Sequence, residues 1–276
     1  MPIRIWVTLD ESPRSSAALS AAAALAAELD AELAGLFVED VDLQHLVGLP
    51  FAREFSLLSG AARTLTPGEI ERGWRREAER MQRRLAEMAG TNRLRWSFRV
   101  ARGRVTAEVS LQAQAFDFVV LGQRCGIGIA AIGRATRSAA APAARSGPVL
   151  VLFEDRTTSA RSLQTAATLA RRDGAELVLL IPAGDDAAFG AACAAAREEL
   201  GRSGAIGRCV RIAALDATAL TRMARREGAS CLVLADTQRY LAPGEAGRAL
   251  DALDCPVVLT RQGTAGAPSS SAASTA

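Results

Sequence analysis

Short apolar runs alternate with amphipathic stretches along most of the chain. Residues 4–9 (Arg-Ile-Trp-Val-Thr-Leu) read as a short buried strand. Asp10-Glu11-Ser12-Pro13 breaks that strand and starts a helix over 15–29, where alanine and leucine, the strongest helix formers, dominate. Residues 32–38 form a second strand. Residues 40–65 keep no period and hold Gly48, Pro50 and Gly60 among many apolar positions. Thr66-Pro67-Gly68-Glu69 spells a capping box, with Thr66 as N-cap, and opens a helix to about residue 88. A third strand is expected over 94–100, a helix over 106–115 and a fourth strand over 116–121. A glycine-rich turn, a helix from about residue 134 and a fifth strand over 148–153 follow. This alternation predicts a parallel sheet with helices on both faces.

The order then repeats. Ser159-Ala160-Arg161-Ser162-Leu163 matches Ser15-Ser16-Ala17-Ala18-Leu19 at an offset of 144 residues, and Ala175-Glu176-Leu177 matches Ala31-Glu32-Leu33 at the same offset. Helices over 187–200, 218–227 and 245–253 then alternate with strands over 207–213, 231–235 and 256–260. The pattern is an internal duplication. It divides the chain into a first repeat over 1–147, a second over 148–262 and a small polar, disordered tail over 263–276. Residues 147–151 resemble both the segment that closes the second repeat, 255–259, and the one that opens the first. One strand cannot have three neighbours, so one half must lack a strand or borrow one. The better assignment makes 148–153 the central first strand of the second half.

Composition narrows the chemistry. Apolar residues are 49% and charged residues 23%, as in an ordinary globular protein. There is no lysine: all 33 basic residues are arginine, and His45 is the single histidine. Schiff-base chemistry, a Walker A loop, a kinase site, a Ser-x-x-Lys nucleophile and a receiver-type phosphorylation switch all need a lysine. A multi-histidine metal site needs more than one histidine. These facts argue against an enzyme. The net charge of +3 gives no footprint for nucleic acid or an acidic membrane. The arginines of the helix after Thr66 are diluted by Glu69, Glu71, Glu77, Glu79 and Glu87 and read as a solvated face. No signal-peptide pattern or long apolar span is present. The five cysteines, Cys125, Cys193, Cys209, Cys231 and Cys255, are scattered, so a reduced, cytoplasmic protein is expected.

Certain residues resemble the universal stress protein family in its tandem form, over roughly residues 3–153. These are Leu9-Asp10-Glu11-Ser12 after the first strand, Phe37-Val38-Glu39-Asp40 after the second, and the closing Gly147-Pro148-Val149-Leu150-Val151-Leu152. The family signature Gly-x-x-Gly, nine residues, then Gly-Ser or Gly-Thr falls on Gly122-Gln123-Arg124-Cys125 and Ala135-Thr136. The first glycine and the closing hydroxyl match, while Cys125 and Ala135 replace glycines. The resemblance implies an α/β fold of two fused doubly wound, Rossmann-like repeats. It also implies one degenerate ATP or adenine-nucleotide site in the first. There Asp10 accepts from the adenine amino group and Val38 offers its backbone to the base. Gly122, Gly126, Gly128 and Thr136 hold phosphates, with Arg124 as the cation and Cys125 and Ala135 crowding them. No metal is expected beyond the magnesium a nucleotide carries.

Each of these residues has a plainer role. Asp10 fits a helix cap, the glycines a flexible loop, Thr136 an ordinary helix hydroxyl, and Cys125 an inert small residue or a redox-responsive thiol. His45 fits a surface or packing position. In the second repeat Glu154 takes the place of Asp10, and the interval after the fourth strand is shortened, so that half is expected to bind nothing. Leu43, Leu46, Val47, Leu49, Phe51, Phe55 and Leu57 would form an exposed patch unless they cover a neighbouring surface, as a lid or in a homodimer. The function that follows is a regulatory, stress-response binding protein. The alternatives are a nucleotide-free interaction scaffold, a slow ATPase or an electron-transfer-flavoprotein-like protein.

Overall fold

The computed structural model describes residues 3–41, 45, 53–55, 62–64, 67–103, 107–108, 115–122, 147–202, 204–213, 215–235 and 253–261. In chain order the first half contains β1 (Arg4–Thr8), α1 (Pro13–Glu28), β2 (Glu32–Asp40), β3 (Arg53–Phe55), β4 (Ala62–Thr64), α2 (Pro67–Thr91), β5 (Trp96–Gly103) and β6 (Phe118–Leu121). The second contains β7 (Val149–Leu152), α3 (Arg156–Asp173), β8 (Leu177–Pro182), α4 (Asp186–Gly201), β9 (Gly207–Ile212), α5 (Ala217–Arg226), β10 (Cys231–Ala235) and β11 (Val257–Thr260).

Nine of these strands make one continuous sheet in the order β5-β2-β1-β6-β11-β10-β7-β8-β9. Every neighbouring pair is parallel except β6 and β11, which run antiparallel with Phe118 opposite Thr260 and Leu121 opposite Val257. The carboxyl ends of the first-half strands therefore reach one edge of the sheet, and those of the second half reach the opposite edge. β7 lies between β10 and β8, as the opening strand of the second half. β11 closes the second half and also flanks β6, where a fifth strand of the first half would sit. Asp117, just before β6, ties the seam: its carboxylate accepts from the Arg4 backbone N–H at 3.1 Å and from the Arg161 guanidinium of α3 at 3.2 Å.

The 144-residue offset persists in the pairing. Ile5 faces Leu33 as Val149 faces Leu177, and Thr8 faces Leu36 as Leu152 faces Leu180. Side chains alternate along each strand and so divide between two cores. Ile5, Val7, Leu9 and Phe37 pack under α1, α2, α3 and α4. Trp6, Leu36, Val38 and Val119 point to the other face with Leu220 and Ala224 of α5. On α2, Ile70, Trp74, Ala78, Met81, Leu85 and Ala89 repeat at helical spacing and are buried.

Element limits shift in places. β2 runs on to Asp40, paired with Gly103 of β5, and α2 continues to Thr91. The segment 40–65 is not wholly irregular, because β3 and β4 form a small antiparallel ladder with Phe55 opposite Ala62. Strands of three residues are too short to display a period of two, so composition alone does not reveal them. His45 is exposed. The Thr66 cap, most of the helices expected over 106–115, from 134 and over 245–253, and the tail lie outside the described residues. So do Leu43, Leu46, Val47, Leu49, Phe51 and Leu57, and the side chain of Phe55.

Candidate functional site

The topology sets where a ligand would sit. β1 is followed in chain order by β2 on one side, while β6 flanks it on the other. The connections leave to opposite sides of this point, the place beyond the strand ends where open α/β sheets of this kind hold ligands in a crevice. Asp10 and Gly122 stand one or two residues past the ends of β1 and β6.

The turn after β1 is held by side chains. The Asp10 backbone N–H donates to the Ser15 hydroxyl at 2.9 Å, and the Asp10 carboxylate accepts from the Ser12 N–H at 2.8 Å. Ser12 is the N-cap of α1: its hydroxyl accepts from the Ser15 N–H at 3.1 Å, with Pro13 in the first turn. The helix cap is thus Ser12, not Asp10. Asp10 is partly exposed.

Val38 lies in β2 with its side chain buried. The Leu36 carbonyl accepts from Leu9 at 2.8 Å, while the Leu33 N–H donates to Arg95 on the β5 side. Backbone groups alternate along a parallel strand, so those of Val38 are directed to the β1 side, beyond Leu9.

Gly122 is a closure point. A β-carbon there would stand 2.5 Å from the Thr8 carbonyl oxygen, 2.9 Å from the Ala18 β-carbon and 2.9 Å from the Ser15 α-carbon. Its N–H donates to the Thr8 hydroxyl at 3.0 Å. Glycine at this position lets the end of β6 approach α1, and its amide is engaged inside the protein. Arg124, Cys125, Gly126, Gly128, Ala135 and Thr136 lie outside the described residues.

One residue of the site escapes the motif reading. Glu77 of α2 faces the turn after β1, and its carboxyl is raised to about 7, first by burial and then by the negative charges of Glu11 and Asp10. Arg80, one turn on, pairs with Glu11. The position was legible in part: Glu77 falls within the apolar stripe of α2, three residues after Trp74 and four before Met81. A cleft of about 260 Å³ lies further out, lined by Glu39, Glu71, Arg75, Ala78, Val100 and Arg102. Its charges largely offset one another, as Arg102 reaches Glu71 at 3.3 Å and Glu39 at 4.0 Å. Among the described residues no helix is long and apolar enough to cross a membrane.

At the matching edge of the second half, the Glu154 N–H donates to the Ser159 hydroxyl at 3.0 Å. There Asp155 caps α3, accepting from the N–H groups of Thr157 and Thr158 at 2.8 Å each. The residues that follow β10, 236–252, lie outside the described set.

No protein-family model matches this chain, and no curated protein does. Solved structures of universal stress proteins superpose on it to different degrees. A universal stress protein from Archaeoglobus fulgidus DSM 4304 superposes with a TM-score of 0.52 at 12% identity, covering 94% of this chain and 98% of its own. A putative universal stress protein from Pseudomonas aeruginosa UCBPP-PA14 gives 0.47 at 13% identity, over 94% of this chain and 92% of its own. The universal stress protein from Archaeoglobus fulgidus in complex with dAMP gives 0.32 at 17% identity, over 42% of this chain and 98% of its own. The first of these, at a TM-score of 0.52 over nearly the whole chain, shows that this chain has the doubly wound fold of universal stress proteins.

Proposed function

We propose that this chain is an adenine-nucleotide-binding regulatory protein of the universal-stress-protein kind, not an enzyme, with one site in its first half. The observation that carries the reading is Asp10. It stands at the switch point between β1 and β6, partly exposed, while the capping of α1 falls to Ser12. An acid so placed accepts from an exocyclic amino group, and the edge of β2 at Val38 supplies backbone groups to the base. Phosphate contacts would fall to 122–136, where Gly122 contributes closeness of approach rather than its amide. Any magnesium would arrive with the phosphates.

A second reading, a nucleotide-free interaction scaffold, is favoured by one feature: Asp10, Glu11 and Glu77 crowd negative charge at the crevice mouth, which opposes phosphate. Calorimetric titration of nucleotide-free protein with ATP, AMP and cyclic AMP separates the two. Under the first reading at least one ligand binds, and Asp10→Ala weakens it about tenfold, equivalent to about 1.4 kcal/mol. Absence of binding at millimolar concentrations of all three leaves the scaffold.

A further inference from the structure

Two thiols outside the crevice meet across a helix and an edge strand. α4 and β9 follow β8 in sequence, and their lower ends touch: a β-carbon on Gly207 would lie 3.3 Å from Leu200 Cδ1. Cys209 is two residues beyond Gly207 and so on the same face of β9, about 7 Å along the strand. Cys193 precedes Leu200 by seven residues on the same stripe of α4, about 10 Å along the helix. Helix and strand run in opposite senses in a parallel crossover, so both steps climb the same way. Cys193 belongs to one core cluster and Cys209 packs against it, and the Cys193 thiol lies near enough to raise the pKa of Cys209. Cys193 is buried and Cys209 partly exposed on the last strand of the sheet order. Cys231 and Cys255 also influence one another electrostatically, but they belong to different core clusters.

We infer that Cys193 and Cys209 are a modification site, a dithiol that a hydroperoxide oxidises to a disulfide linking α4 to β9. The Cys209 thiolate attacks a peroxide oxygen, the O–O bond breaks, and the departing hydroxide leaves as water. Cys193 Sγ then attacks the resulting sulfenic sulfur. The S–O bond breaks, a second water leaves with the Cys193 proton, and the S–S bond forms. Two electrons pass from the two sulfurs to one peroxide. Burial pushes the Cys209 thiol up to about 11, while Arg197 on α4 favours the thiolate. The first step is therefore slow at neutral pH and quickens with alkalinity.

The test treats the native protein with hydrogen peroxide at about pH 9, where the thiolate is better populated, and maps tryptic peptides by mass spectrometry. Cleavage at Arg208 and Arg211 isolates Cys209, and cleavage at Arg197 separates Cys193 from it. The expected product is these two peptides joined within one chain, with two thiols lost. In Cys193→Ser the Cys209 sulfenic acid should persist and be trapped by dimedone. Wild-type protein in which Cys209 becomes sulfinic without linking, joins a different cysteine, or stays reduced while other thiols react overturns the proposal.

Discussion

Ser15 accepts a hydrogen bond from the backbone N–H of Asp10 at 2.9 Å. The same relationship holds 144 residues later, where Ser159 accepts from Glu154 at 3.0 Å. Both serines are almost fully buried, 1% exposed each. In each half the hydroxyl of the first helical turn takes up the amide where the opening strand ends, so it fixes the angle between strand and helix. Ser15 therefore fixes the backbone that carries the Asp10 carboxylate.

Ser15→Ala should destabilise the fold by about 1–3 kcal/mol, because it leaves the Asp10 amide without that acceptor. Ser159→Ala should cost a similar amount. Urea denaturation of both variants checks this, and a change below experimental error in either would show that water replaces the hydroxyl.

Gly122→Ala should be costly for packing reasons alone. Two of the three atoms its methyl would meet are backbone, and the third is the β-carbon of Ala18 in α1. None can swing aside as the tip of a long side chain can. A loss of about 1–3 kcal/mol or more is expected, measured in the absence of any nucleotide. Unchanged stability with altered nucleotide affinity would instead assign Gly122 to ligand contact only.

The duplicated turn after α1 and α3 offers a stabilising change. Gly174 has φ +60° in the left-handed region, and Asp30, its counterpart at the 144-residue offset, has φ +47°. Glycine occupies that region without the crowding a β-carbon brings, so Asp30→Gly should stabilise by up to about 1 kcal/mol. Asp30 is exposed, which keeps other effects small. A lowered thermal midpoint would count against this account.

Much of this arrangement was legible in the residues, and the reasons differ by element. β1, α1 and β2 follow from an apolar run, a Ser-Pro start and an alanine-rich helix, and the second half repeats that order. Ser12 as the cap was within reach, since Pro13 prefers the first helical position and points to the residue before it. The antiparallel seam was not legible: Val257–Thr260 carries the same apolar run as any buried strand, and nothing local states which neighbour it takes. Glu77 was hidden for another reason. Read by charge it joins an arginine–glutamate surface, and only its place among the buried Trp74, Ala78 and Met81 signals that it is half-buried.

That partial burial makes Glu77 the group whose titration should be visible near neutrality. Its carboxyl is raised from 4.5 to about 7, so the folded state holds a proton that the unfolded chain has released. Below pH 4.5 both states are protonated and Glu77 adds no pH dependence. Between 4.5 and 7 the unfolded state binds fewer protons, so stability falls as pH rises, and above 7 the penalty is constant. Glu77→Gln keeps the shape and hydrogen-bonding capacity but removes the charge. It should therefore stabilise the protein at pH 8, by an amount on the order of 2 kcal/mol at most, and leave stability at pH 4 nearly unchanged. The same substitution lowers the negative charge facing the crevice, so any nucleotide affinity should rise at pH 8 and not at pH 5, where Glu77 is already neutral. Denaturation midpoints at these pH values check the first half of this argument. A variant no more stable than wild type at pH 8 would place the Glu77 carboxyl in water.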